Sequence, residues 1–257
     1  MVILEAFEQV VRIDEGELTG YVKEGHEYIH QKGSPGWRSS DTEMFPVIGP
    51  TGEVDFKVQT PKGDALQDQH GLLRELEYRL ISASDTRAVL QKKYEAGTEI
   101  RNSKYPKKSS KEWVHWPYDF DFQKTFELRK DGLEITFKIQ GEVGMPFMLG
   151  YHPAFKLYLE APTLMADTKE ITLAEVLAVG NRAFQIANCN TIRLRDKKNV
   201  QISTEGFGHF MLWTEVPNMI CIEPITFYPY EVAQGNLHQG FQHLTPEPRE
   251  FKVKIEL

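Results

Sequence analysis

The stretch Phe120-Asp121-Phe122-Gln123-Lys124-Thr125-Phe126-Glu127-Leu128-Arg129-Lys130-Asp131-Gly132-Leu133-Glu134-Ile135-Thr136-Phe137-Lys138-Ile139-Gln140-Gly141 reads as two runs meeting at Asp131-Gly132. In the second run Leu133, Ile135, Phe137 and Ile139 alternate cleanly with polar residues. In the first, Phe120, Phe122, Thr125, Phe126 and Leu128 follow at near-strand spacing. Alternation at period two places one apolar face against a core, and Asp-Gly supplies the backbone of a tight turn. This is the strongest hairpin in the chain, and it sets the expectation of an antiparallel β protein.

The same pattern extends outward in both directions. Val2 to Ile13 and Leu18 to His30 read as an opening pair of strands, turned at Asp14-Glu15-Gly16. Met44 to Ile48, Glu53 to Gln59, Leu72 to Ser82 and Thr86 to Tyr94 are further strands, the last two separated by Ser84-Asp85. Asn199 to Thr204, His209 to Thr214, Met219 to Glu223 and a closing Phe251 to Leu257 follow. Residues 97–112 are polar and lysine-rich and read as a surface loop, while 168–179 suits a short helix or an irregular strand. With many strands, no long helix and no repeat or linker, the chain is expected to be an all-β sandwich of one domain, residues 1–257.

Composition narrows the function. A net charge of -7 over 257 residues argues against a nucleic-acid binder, which normally carries a basic face. No uninterrupted apolar window is long enough for a membrane-spanning helix, and the acidic N-terminus does not resemble a signal peptide. Two isolated cysteines, Cys189 and Cys221, are expected as buried free thiols, and a cytoplasmic location follows. There is no phosphate-binding glycine loop, no GxSxG, no HExxH and no metal-ligand spacing, so neither metal nor cofactor is expected.

Three stretches carry chemistry. In Gly150-Tyr151-His152-Pro153-Ala154-Phe155 an apolar run delivers a histidine to a proline, which keeps the residue before it extended and aims the ring outward. Cys221-Ile222-Glu223-Pro224 places a carboxylate at the end of an apolar strand, where partial burial raises its pKa into the range of a general base. Gln69-His70-Gly71-Leu72-Leu73-Arg74 puts a histidine and an arginine four residues apart, on one face if the segment is a strand. Trp37, Trp213, Phe155 and Tyr151 offer flat surfaces on which sugar rings stack, whereas Trp113 and Trp116 read as packing.

Taken in order, these stretches resemble the motifs HGxxR, HPxF and CxEP of the aldose 1-epimerase (galactose mutarotase-like) family. Arg38, ahead of Phe45-Pro46-Val47-Ile48-Gly49, resembles the arginine of a fourth motif in the hexose-phosphate branch, and Tyr78 falls where the family often has an aromatic. The resemblance implies a large antiparallel β-sandwich of the galactose mutarotase-like type with an open sugar cleft. It implies cofactor-free interconversion of α and β aldose anomers, with Glu223 as base and His152 as acid. Arg38, His70, Arg74, Phe155 and Trp213 would bind the substrate. The family's sugar-gripping aspartate has no placed counterpart in this sequence, Asp167 and Asp196 being the two candidates. A hexose-6-phosphate mutarotase and a non-catalytic carbohydrate-binding domain are the alternatives. The expected partner is a small-molecule sugar, with neither nucleic acid nor membrane involved.

Overall fold

The computed structural model describes residues 1–257, apart from the side chain of Asn181. The hairpin is formed by the strands Phe120–Arg129 and Gly132–Gly141, paired from Phe120↔Gly141 to Arg129↔Gly132. Its turn is Lys130-Asp131, one residue earlier than the Asp-Gly dipeptide suggests. Gly132 is instead a paired residue, and a Cβ there would lie 2.1 Å from the carbonyl oxygen of Ile255.

The hairpin sits inside a nine-stranded antiparallel sheet. On one side run Arg249–Glu256, Val200–Glu205, Thr191–Arg195, Thr163–Ala166 and Lys169–Thr172; on the other run Arg87–Tyr94 and Arg79–Ala83. A six-stranded sheet faces it, in the order Phe184–Ile186, His209–Trp213, Met219–Ile225, Gly150–Tyr151 and Glu43–Met44, with Ala154–Lys156 also paired to Met219–Ile225. The inner faces meet through aromatic contacts: Phe45 with Phe120 and Phe122, Phe137 with Tyr151, and Phe147 with Phe251. This is an antiparallel β-sandwich, joined by a four-stranded N-terminal meander that shares its buried apolar cluster. Among the described residues no helix is long and apolar enough to cross a membrane.

Several expected strands are broken. Val2 to Ile13 is itself a hairpin, Val2–Ala6 against Gln9–Asp14, turned where Phe7 and Glu8 take positive φ. Leu72 to Ser82 begins with a 3-10 turn, Leu72–Glu75, and becomes a strand only at Arg79–Ala83. Glu53 to Gln59 likewise opens in a 3-10 turn, Gly52–Val54, before the strand Lys57–Thr60. The ambiguous 168–179 divides into the strand Lys169–Thr172 and the helix Leu173–Val179, which starts on a Thr172/Glu175 capping box.

Candidate active site

The strand Met219–Ile225 is buried along its whole length, yet its two faces differ. Ile220 and Ile222 enter the main core, while Cys221 packs with Ala154 and Met219 beneath Trp213. Glu223 shares the Cys221 face, because alternate residues of a strand do. On the neighbouring strand Trp213 pairs with Cys221 and Met211 with Glu223. These four side chains floor a cleft of about 700 Å³, within the range of about 300–1,000 Å³ typical of small-molecule sites.

His152 enters this cleft from the adjoining segment. Its N–H donates to the carbonyl oxygen of Thr42 at 2.9 Å, and that of Ala154 donates to Ser40 at 2.8 Å. Held on both sides, the imidazole places Nε2 3.1 Å from Glu223 Oε1, with the Trp213 and His70 rings 6.1 and 5.5 Å away. The approach to Glu223 is off the line of a hydrogen bond, and Oε1 has no hydrogen-bond partner among the described residues.

His70 reaches the cleft from a strained loop. Its φ is 77°, a left-handed value that a non-glycine residue holds at a cost and that functional sites retain when their surroundings enforce it. The enforcement is visible: its N–H donates to Ile48 and its carbonyl accepts from Phe45. Gly71 follows at φ 69°, where a Cβ would lie 2.2 Å from the Phe45 carbonyl oxygen. His70 and Arg74 do meet, through the 3-10 turn rather than along a strand, with Nη1 3.1 Å from Nδ1. A guanidinium can only donate, so Nδ1 accepts and the ring proton of neutral His70 sits on Nε2.

Electrostatics divides the titratable groups. Burial pushes the Glu223 carboxyl well above its ordinary range. Burial lowers His152 to about 4, outweighing a favourable backbone hydrogen bond, and Arg74 adds to the lowering. His70 is held well below its usual value by burial and by the nearby charges of His152, Arg74 and Lys104. Tyr230, also on the cleft wall, is raised to about 12 by burial and by Glu223.

Arg38 stands at the rim, 5.8 Å over the Trp213 ring and 2.7 Å from Glu215. The lysine-rich loop at 97–112 contributes more than expected. Lys104 donates to Asp68 and to the Gln69 carbonyl, and both it and Lys108 line the cleft with Arg182. Runs of lysine read as solvated surface, and nothing in their spacing marks these two.

Phe155 does not touch the cleft. It pairs with Ile220 on the core-facing side and is fully buried, because its parity along the strand is opposite to that of Ala154. Neither Asp167 nor Asp196 is there; Asp196 accepts the backbone N–H groups of Tyr158 and Leu159, and the cleft's carboxylates are Asp68 and Glu223. Linear spacing also hid a convergence: ligand atoms of His152, Cys221 and Glu223 lie within 4.8 Å of one another.

One positioning residue was missed. Lys124 is fully buried, 2.8 Å from Asp41 and 2.6 Å from Glu43, and Tyr151 donates its hydroxyl to the same Asp41 oxygen. Asp41 and Glu43 flank Thr42, the residue that holds His152. The signal was present in parity, since Lys124 shares its face with Phe122 and Phe126.

An antiparallel sandwich whose outer face carries a carboxylate–imidazole pair at the floor of an open cleft defines the class of protein. The chain belongs to the aldose 1-epimerase family, whose model matches residues 53–210. A galactose mutarotase-like protein from Lactobacillus casei shares the fold with a TM-score of 0.81 at 17% identity, over 100% of this chain and 99% of that one. A galactose mutarotase related enzyme from Lactobacillus acidophilus matches with a TM-score of 0.74 at 18% identity, over 100% and 97%. No curated protein sequence matches the chain.

Proposed function

We propose that the protein is an aldose 1-epimerase, interconverting α and β anomers by acid–base ring opening and closure. The observation that carries this reading is the His152–Glu223 pair, 3.1 Å apart on the cleft floor with one carboxylate oxygen unpartnered. In the reaction a base takes the O1 proton as the C1–O5 bond breaks, and an acid protonates O5. The resulting aldehyde rotates about C1–C2 and the steps reverse on the other face. One base and one acid suffice, and each serves in both senses over a full cycle.

The pair needs one shared proton. Burial favours its residence on Glu223 in the empty cleft, with His152 neutral. Opening with Glu223 as base begins once that proton has passed to His152, and closure returns it. His70 Nε2–H is suited to donate to a sugar oxygen, and Trp213 offers an apolar face to the ring. Arg74 acts on His70 as a positioning group.

A phosphorylated aldose is the second reading, and the cleft lining favours it. Arg38, Arg74, Lys104, Lys108 and Arg182 outnumber Asp68 and Glu223 there, in a chain whose net charge is -7. Polarimetry of freshly dissolved α-glucose, α-galactose and glucose 6-phosphate tests both readings. Faster relaxation of one sugar with protein present is expected. Binding without acceleration of any aldose would leave only a carbohydrate-binding role.

A further inference from the structure

Cys221 takes no part in proton transfer, yet its side chain lies on the cleft floor beside both groups that do. We propose that His152, Cys221 and Glu223 bind a divalent cation of the zinc type, and that this ion closes the cleft to sugar. The second half rests on the mutarotase reading; the first does not. The site is empty.

Zinc bonds of about 2.0–2.3 Å place tetrahedral ligand atoms roughly 3.3–3.7 Å apart. The His152–Glu223 edge is already 3.1 Å, and the 4.8 Å bound on the other edges leaves about 1 Å of side-chain adjustment. Glu223 Oε1, on a residue only 2% exposed, makes no well-aligned hydrogen bond and is an acceptor that a cation beside His152 would satisfy. Thiolate, carboxylate and neutral imidazole together balance a doubly charged cation, so the buried complex carries no net charge. The fourth position faces the open cleft, where a water would complete the tetrahedron in the space that the sugar needs.

Binding exchanges bonds without redox change. The Cys221 S–H and the Glu223 carboxyl each release a proton to buffer as the metal–sulfur and metal–oxygen bonds form. Arg74 and the basic rim repel any cation, so affinity must come from ligand chemistry rather than from the field. Thiolate and imidazole select zinc and cobalt over magnesium and calcium, which prefer oxygen.

Cobalt(II) titrated anaerobically into the metal-stripped full-length chain reads the site without sugar. One equivalent should produce a thiolate-to-cobalt charge-transfer band, kept in Cys189→Ser and lost in Cys221→Ser. His152→Asn should weaken cobalt binding by more than about 100-fold, since even outer-shell changes cost 10- to 100-fold. Absence of the band in folded wild-type protein, or its persistence in Cys221→Ser, would overturn the site. Zinc should abolish wild-type mutarotation reversibly, chelator restoring it and magnesium having no effect; an unchanged rate with zinc bound would overturn the sugar exclusion. If no aldose is anomerised at all, the functional reading fails, while the cobalt band still decides the metal site.

Discussion

Glu223 and His152 illustrate how far single residues can be read. The proline after His152 marked a strand end, whereas Pro224 lies inside the strand Met219–Ile225; the apolar run before Glu223 did mark a carboxylate that burial perturbs. Phe155 failed on parity: the pairing runs in one register through Pro153, from Gly150↔Ile225 to Ala154↔Cys221, and a residue three beyond His152 faces the core. The burial that perturbs Glu223 costs stability. Its raised pKa means that folding at neutral pH takes up a proton or buries a charge, and Glu223→Gln removes that cost. The denaturant midpoint of Glu223→Gln at pH 7 should therefore exceed that of the unmodified protein; an unchanged or lower midpoint would contradict the burial argument. His152→Asn should slow turnover by roughly two to four powers of ten with little loss of sugar affinity. Adding Glu223→Gln to it should cost less than the product of the single losses, measured as kcat, because the two groups share one proton.

At the scale of elements, the placement of His152 depends on a short strap. Residues 40–44 present the Ser40 and Thr42 carbonyls to the backbone around His152, and Lys124 fixes Asp41 and Glu43 on either side. Two buried carboxylates raise the Lys124 pKa despite its burial. Removing the cation leaves both carboxylates buried without its charge, Asp41 keeping only the Tyr151 hydroxyl, so Lys124→Met should destabilise the fold by about 3–5 kcal/mol in equilibrium denaturation. A loss below about 1 kcal/mol would mean that water, not Lys124, satisfies these acids. The hairpin carrying Lys124 was the most legible element in the sequence, yet alternation alone does not mark a lysine on the apolar face as a buried ion-pair partner. The Leu72 to Ser82 region misled for a different reason: His70 and Gly71 both take left-handed φ, and the chain leaves strand geometry there. Period-two patterning does not register such local conformations.

For the whole molecule, antiparallel architecture followed from alternation alone, but the pairing of distant strands and the position of the cleft did not. The cleft lies on the outer face of the six-stranded sheet, where segments from residues 36 to 230 converge. Burying neutral imidazoles in this cleft ties stability to pH. His152 and His70 both have lowered pKa values, so their contribution is present above the ordinary 6.5 and lost as pH falls towards about 4. Glu223 opposes them, because a raised carboxyl costs stability as pH rises through the same window. Urea midpoints should accordingly fall from pH 7 to pH 5, and fall more steeply in Glu223→Gln; a flat profile in both proteins would refute the assignment. The same protons shape activity. The rate should decline towards pH 4 as the pair gains a second proton, and decline in alkali as it loses its only one, both apparent pKa values belonging to the pair. The most direct test is exchange NMR on an aldose already at anomeric equilibrium, comparing wild-type protein with Glu223→Gln at saturating sugar. The account requires α–β exchange well above the buffer rate in the wild type, reduced roughly 100- to 10,000-fold in the variant. Equal exchange in the two proteins would contradict it.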